Sequence, residues 1–531
     1  MCIRDSSLGR GEAGAPPNPQ AVMTMVERVM SQGEHREGPL AVDLGPDDAR
    51  ALLRAWLDSV DLDLDAHELI AYMQADDFSH ADLFRRARRR HERALSKAVD
   101  QVLEAAAAQA GYGAAALGLF AACVPAIPYA PAAAFLGREK RKLTAREGEP
   151  RRVALVADGV GGMHGVTHTL DEIRDRGVHG FEVEVIGTDP NVDRRLPAVA
   201  EVDVPFYEGL TLGVPSLPVA VEALAEGRYD LVHLCSPGPS GVVAALIART
   251  MGLPIVGSYH TELGVYAGLR SGEARLRAGM DAAMAAFYGS CAAVLSPSES
   301  ADQSLRALGI DQQRIARWDR GVDLERFGAD RRKPGCFKGE VNVLYAGRLT
   351  KEKGMDLLAD AFLAARARDP RLHLVLAGGG PEQEALRERL GRHATFLGWL
   401  DGEELAWAYA SSDVFLFTSR TDTFGQVILE AQASGLPVVA VGEGGPASLI
   451  EDERSGLLRA ADPGALADAV IALAGSPVLR ARLAEGGLAA VRDRSWEAAL
   501  HKLAEGYRSV LGLSPAARRP AGATAARRQA A

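Results

Sequence analysis

Cysteine is scarce and scattered in this 531-residue chain. Cys2, Cys123, Cys235, Cys291 and Cys336 form no CxxC pair and have no histidine cluster near them. Neither a disulfide framework nor a zinc site is indicated, and a reducing cytoplasm is the compartment that fits. A basic excess is also lacking: 60 Lys and Arg stand against 70 Asp and Glu, a formal charge of −10, which argues against a general nucleic-acid binder. No signal-peptide pattern opens the chain, and MCIRDSS joins so abruptly to the next residues, LGRGEAG, that it reads as a cloning or assembly scar. Long unbroken apolar runs are missing as well. The stretch between Glu104 and Arg138 carries no charge and is long enough to span a bilayer. Pro125, Pro128 and Pro131 interrupt its second half, and Ala and Gly dominate its first, which gives little transfer energy. An Ala-rich helix packed on the next domain is expected. Basic clusters at both ends make a monotopic hairpin in the cytoplasmic leaflet the membrane alternative.

What the chain does contain is 47% hydrophobic residues, 24% charged residues and 56 glycines, the composition of a turn-rich globular enzyme too long for one core. Residues 1–40 lack periodic apolar positions and read as a disordered leader. Over 41–150, LLRAWLDSV and HELIAYMQ have helical spacing, and the basic run from Arg85 to Lys97 reads as a solvated helix face. From Arg152, RRVALVADGVGGMHGVTHTLDEI gives a buried parallel strand, a glycine-rich turn and a helix. FEVEVIG, DLVHLC, PIVGSYH and AAVLS continue a βα alternation, and a second series runs from VNVLYAG through LHLVLAG, ATFLG, VFLFTS and PVVAV. This α/β pattern predicts two Rossmann-like domains, 151–330 and 331–494, joined by a linker in ARWDRGVDLERFGADRRKPGCFKGE. A closing helix is expected over 495–512, followed by a disordered basic tail over 513–531.

Chemistry concentrates at strand ends, where doubly wound sheets bind ligands. In TDTFGQVILEAQASGLP, Asp422 and Glu430 lie eight positions apart around Gly425, which opens a short helix that Gly435 and Pro437 stop. The free helix N-terminus favours an anion and the carboxylates accept hydrogen bonds from sugar hydroxyls, so one element can grip both ends of a nucleotide-sugar. The plainer alternative is an amphipathic helix with Asp422 as N-terminal electrostatics and Glu430 on a solvated face. In GRLTKEKGMDLL, Arg348 and Lys353 suit a diphosphate, unless they are surface cations paired with Glu352 or Asp356. The turn GVGGMHGVTHTL offers Gly161, Gly162 and Gly165, which serve either a ligand or close packing. His260, in GSYHTELGVYAG, ends a strand as either a ligand-facing or a packed histidine.

From about 151 to 512 the chain resembles the retaining family-4 glycosyltransferases of the GT-B fold. The resemblance rests on the Asp422/Glu430–Ala431 motif with Phe424, Gly425, Gly435 and Pro437, on Arg348 and Lys353, and on HLCSPGPSGVVAALIAR and WDRGVDLERF. The last two are similar to GDP-mannose-dependent α-mannosyltransferases and sulfoquinovosyl or glycolipid-forming relatives. It implies GT-B architecture, two Rossmann-like domains facing a cleft, here preceded by a helical extension. It further implies that Arg348 and Lys353 hold the donor diphosphate, that His260 lies close to the transferred sugar, and that Gly165, Thr423, Phe424, Gly425 and Glu430 line the donor site. Asp422 replaces the family's first Glu and is expected to bind a hexose hydroxyl, while His164 replaces an Asn. No metal or other cofactor is implied. The expected reaction moves a hexose, mannose from GDP-mannose, to a hydroxyl of a lipid or glycan acceptor. The expected place is the cytoplasm, at the inner face of the cell membrane, with Arg270, Arg275 and Arg277 among the basic residues facing lipid. Open alternatives are a UDP-sugar-dependent glycolipid synthase, a nucleotide-sugar epimerase and a sugar-nucleotide-binding pseudoenzyme.

Overall fold

The computed structural model describes residues 53–514 apart from positions 55, 63, 109–110, 127–128, 145–147, 161–164, 204–210 and 266–273. The expected leader, all but the first two residues of the tail, Gly161, Gly162, His164 and Arg270 therefore lie outside the described residues, as does the side chain of Arg275.

The apolar runs become the strands of two parallel sheets. The first contains β1 (Arg151–Val156), β2 (Phe181–Gly187), β3 (Arg194–Arg195), β6 (Leu231–Leu234), β7 (Ile255–Ser258), β8 (Ala293–Ser296) and β9 (Ile315–Arg317), in the order β3-β2-β1-β6-β7-β8-β9. A separate antiparallel pair, β4 (Ala198–Asp203) and β5 (Thr211–Pro215), interrupts the series between β3 and β6. The second sheet contains β10 (Val341–Ala346), β11 (Leu372–Ala377), β12 (Ala394–Gly398), β13 (Val414–Phe417), β14 (Val438–Val441) and β15 (Leu457–Arg459), in the order β12-β11-β10-β13-β14-β15. Every residue of β10 and β11 is buried, as expected for central strands with helices on both faces. Strand order reverses between β1 and β6 in one sheet and between β10 and β13 in the other, the positions at whose carboxyl ends doubly wound sheets bind ligands.

The segment expected to be a linker is in large part packed structure. It begins in β9, and Trp318, Val322 and Phe327 are buried. The amide of Val322 donates to Arg494 O at 2.8 Å, so the outgoing and returning chain crossings are bonded to each other. Its charge content had suggested solvent, but its apolar residues decide its place. The returning helix Trp496–Val510, capped by Ser495, sends Leu500, Leu503, Ala504 and Tyr507 into the first sheet's core with Val153, Leu155 and Leu231. Each fully buried large side chain there stabilises by about 1.5–3 kcal/mol, which ties the end of the chain to the first domain.

The extension is helical: Ala66–Met73, His80–Ala108, Tyr112–Cys123 and Tyr129–Thr144. On the long helix Leu83, Ala87, His91, Leu95 and Ala98 face inward at three- and four-residue spacing, leaving Arg85, Arg86, Arg89, Arg93 and Lys97 exposed. His91 bridges the extension to the first domain: its ring accepts from the Leu217 amide at 3.1 Å and its Nδ1–H donates to Ala122 O at 2.6 Å. The helix Tyr129–Thr144 packs on Leu217–Glu226, the docking onto the next domain that its composition implied. Among the described residues no single helix is long and apolar enough to cross a membrane.

Candidate donor-sugar site

The loops following β10 and β13 flank the second sheet's crevice, and their side chains lock them together. The Thr418 hydroxyl donates to Lys353 O and Gly354 O, both at 3.1 Å, and the Thr421 hydroxyl to Glu352 O at 3.2 Å. Gly354 opens the helix Met355–Arg368 at φ +73°, where a Cβ would stand 2.5 Å from Thr418 O. Only glycine allows the two loops to close to this distance. Lys353 then reaches across the crevice, and its Nζ donates to Asp422 Oδ2 at 2.5 Å, with the two side chains 15% and 19% exposed. Arg348 approaches Glu352 at 3.8 Å. Of the pairings open to these cations, the one with Glu352 exists for Arg348, with Glu352 buried rather than on the surface, and Asp356 faces Arg389 at 3.2 Å.

Asp422 serves three partners. Besides Lys353, its Oδ1 accepts from the amides of Phe424 at 3.4 Å and Gly425 at 3.2 Å, which holds the turn leading into the helix Gln426–Ala433 without capping the helix itself. Gly425 is at φ +93°, the left-handed turn that starts this helix. Burial works to raise the Asp422 pKa, but the Lys353 ammonium and the two amides outweigh it, and the carboxyl titrates below its usual range. The sequence expectation gave Asp422 a sugar hydroxyl as its partner; the structure adds a cation and two amides of its own turn. Glu430 lies one turn inside the helix and is buried, so it does not ride a solvated face. Its Oε2 accepts from the Tyr409 hydroxyl at 2.9 Å, and burial pushes its pKa up to about 7. The Phe424 ring is buried in the second domain's core. Gly165 starts the helix Gly165–Arg176 with open space at its Cα.

The first domain meets this element directly. The Thr423 hydroxyl donates to His260 O at 2.8 Å, the Ser298 hydroxyl to Thr423 O at 2.6 Å, and the Gln426 amide to Gly321 O at 2.9 Å. His260 follows β7, is half-buried, and lies edge-on to Trp318 with centroids 6.1 Å apart. Its Nδ1 accepts from an Arg320 N–H, which fixes its own proton on Nε2. Burial, then the charges of Arg320 and His233, push its pKa well down, so the ring is a neutral Nε2–H donor. Another helix N-terminus in the first domain, at Pro239–Thr250, is already filled: Asp158 accepts from the Ser240 amide at 2.9 Å and the Gly241 amide at 3.3 Å. Sequence reading gave no role to Asp158 or Tyr409; Arg320 stood in the motif WDRGVDLERF that carried the resemblance but was assigned no role, and it lay inside the expected linker, where Trp318 was the available signal of burial.

The site therefore joins Lys353, Asp422, Thr423 and His260 through consecutive contacts, with Arg348 and Glu430 on the adjoining turns. A family model described as "Glycosyltransferase Family 4" matches residues 161–326, and one described as "Glycosyl transferases group 1" matches 340–476. The GDP-mannose-dependent alpha-mannosyltransferase of Corynebacterium glutamicum is 33% identical over 388 residues, covering 69% of this chain and 90% of that protein. The chain belongs to glycosyltransferase family 4. This glycosyltransferase is also similar to the Mycobacterium tuberculosis enzyme of the same name, 34% identical over 68% of this chain and 97% of that one. The sulfoquinovosyl transferase of Arabidopsis thaliana is 32% identical over 52% of this chain and 56% of its own length. Among solved structures, sucrose-phosphate synthase from Thermosynechococcus elongatus superposes with a TM-score of 0.57 at 25% identity, over 68% of this chain and 100% of that one. Anabaena HepE in complex with UDP and glucose gives 0.53 at 18% identity over 68% and 100%, a likeness of fold. The glycosyltransferase has the GT-B architecture and a retaining family assignment, and its helical extension precedes both matched segments.

Proposed function

We propose that this glycosyltransferase moves mannose from GDP-mannose to a hydroxyl of a lipid or glycan acceptor, with retention at the anomeric carbon. The observation that carries the reading is the Lys353–Asp422 pair across the crevice between β10 and β13. A diphosphate at this position replaces Asp422 as the counter-charge of Lys353 and releases the carboxylate toward a sugar hydroxyl. Arg348 faces the same diphosphate. Glu430, ionised, accepts from ribose hydroxyls, and the Nε2–H of His260 donates to the transferred sugar. As the bond from the anomeric carbon to the phosphate oxygen breaks, the acceptor oxygen bonds to that carbon on the same face and its proton passes to the departing phosphate oxygen. Negative charge accumulates on the diphosphate, where Arg348 and Lys353 stabilise it more in the transition state than in the ground state. No protein nucleophile and no metal ion takes part in this scheme.

A lipid acceptor is supported by the helix Tyr129–Thr144, which leaves Phe135, Leu136 and Leu143 54%, 65% and 85% exposed beside Arg138, Lys140, Arg141 and Lys142. Such a surface suits the anionic inner face of a membrane. Of the arginines after His260, Arg277 is exposed and faces Asp281 at 3.7 Å. Nucleotide release from a panel of GDP- and UDP-sugars, with and without glycolipid acceptors, tests the proposal. GDP release from GDP-mannose that requires acceptor supports it; donor conversion without acceptor identifies an epimerase, and binding without turnover a pseudoenzyme.

A further inference from the structure

Arg320 is 8% exposed, and among the described residues no carboxylate forms a salt bridge with it. One terminal nitrogen donates to His260 Nδ1; the other, Nη1, is buried and has no hydrogen-bond partner among the described residues. The nearby carboxylates are committed elsewhere. Asp319 accepts from Lys502 at 2.5 Å and faces Arg494 at 3.8 Å, while Asp323 faces Arg176 and Arg326. Asp158 caps a helix. The groups that act on Arg320 are Cys235, a thiol that burial pushes up to about 12, and the already paired Asp319, while the rings of His233 and His260 beside it are neutral. The guanidinium stacks on Trp318, its carbon 4.8 Å from the ring centroid, and burial pushes its pKa down to about 10 without discharging it. A buried charge left unpaired destabilises a fold, and an arginine fork matches the paired oxygens of phosphate, carboxylate or sulfonate.

The position is on the first-domain side of the cleft, whereas Arg348 and Lys353 belong to the second. His260 is only half-buried, and its carbonyl is held by Thr423 of the donor loop, so the ground beside Arg320 adjoins the place where sugar is transferred. We propose that Arg320 is an anion ligand, whose Nη1 takes an oxygen of an anionic group carried by a substrate while Nη2 remains on His260. The assignment rests on the transferase reading. The anion comes either from the donor diphosphate or from an anionic substituent on the acceptor.

Calorimetry separates the sources in wild type and Arg320→Met. One titration uses GDP; the other uses inorganic phosphate added to protein saturated with GDP. A tenfold or greater loss of GDP affinity in Arg320→Met assigns the group to the donor diphosphate. Unchanged GDP affinity with loss of a phosphate site that wild type shows assigns it to the acceptor. Equal behaviour of the two proteins in both titrations overturns the proposal. If Arg320→Met loses its native circular dichroism, Arg320→Lys is measured instead. It keeps the charge but not the fork, and a three- to tenfold weaker affinity in one titration is expected, against wild-type affinity in both as the contrary result. Transfer by the wild type is assayed separately, so absence of turnover would contradict the proposed function without touching these titrations.

Discussion

Replacing Asp422 by Asn removes one charge and almost no volume, and its consequences divide between folding and chemistry. In the free enzyme Lys353 Nζ lies 2.5 Å from Asp422 Oδ2, and both side chains are more than four-fifths buried. Removing one member of a buried pair costs about 3–5 kcal/mol. The residual exposure of this pair lets water recover part of that, leaving a loss of about 2 kcal/mol. The Asn carbonyl still accepts from the Gly425 amide, so the turn leading into the helix survives. In the proposed scheme the diphosphate of GDP takes over Lys353, so the variant should bind GDP as tightly as wild type or more tightly, and GDP should raise its melting temperature by more than it raises that of wild type. Transfer behaves oppositely. Losing a hydrogen bond from a sugar hydroxyl to a charged acceptor costs about 1.5–3 kcal/mol, a ten- to hundredfold fall in the rate at saturating donor. Calorimetry, melting curves with and without GDP, and initial rates are the assays. A variant with wild-type stability and weakened GDP binding would refute the exchange of counter-charges.

Glu430, raised to about 7 from 4.5, contributes stability that is fully present below its unfolded pKa and lost as pH rises through about 7. Relative to Glu430→Gln, wild type should lose about 3 kcal/mol between pH 4 and pH 8, and its GDP affinity should rise over pH 6–8 while that of the variant stays flat; parallel pH curves would remove the ribose assignment. Lys353→Ala should lower the rate at saturating donor, and a chelator should leave the wild-type rate unchanged; inhibition by chelator that magnesium restores would contradict the metal-free scheme. Tyr507→Phe removes the 2.7 Å bond to His233 and should cost about 1 kcal/mol in chemical denaturation. Phe135→Ser with Leu136→Ser should abolish sedimentation with anionic liposomes at low salt while a water-soluble acceptor is still glycosylated; undiminished sedimentation would place the lipid contact elsewhere.

The βα alternation was legible because its central strands, such as β10 and β11, are apolar on both faces, and the order reversals at β1/β6 and β10/β13 are those of the doubly wound class it implied. The pair β4–β5 escaped because AVAEVD and TLGVP are short, only part-buried and without a continuous run of large apolar residues, and β9 because its three residues open a charged stretch. Within the site, the residue types at Arg348, Lys353, Asp422 and Glu430 were readable, but their partners were not. Lys353 and Asp422 are 69 positions apart, and Glu430 finds Tyr409 on another helix. Contacts of that range depend on how two loops leave one sheet, which local pattern does not encode. The return of Trp496–Val510 into the first core is of the same kind.

The most direct measurement is the product of GDP-mannose incubated with the protein and a glycolipid acceptor, followed by nucleotide release and by the anomeric coupling of the new linkage in NMR. One equivalent of GDP per α-mannosyl linkage formed, with no release when acceptor is omitted, is the predicted result. A β-linked product, or donor altered in the absence of acceptor, would contradict it.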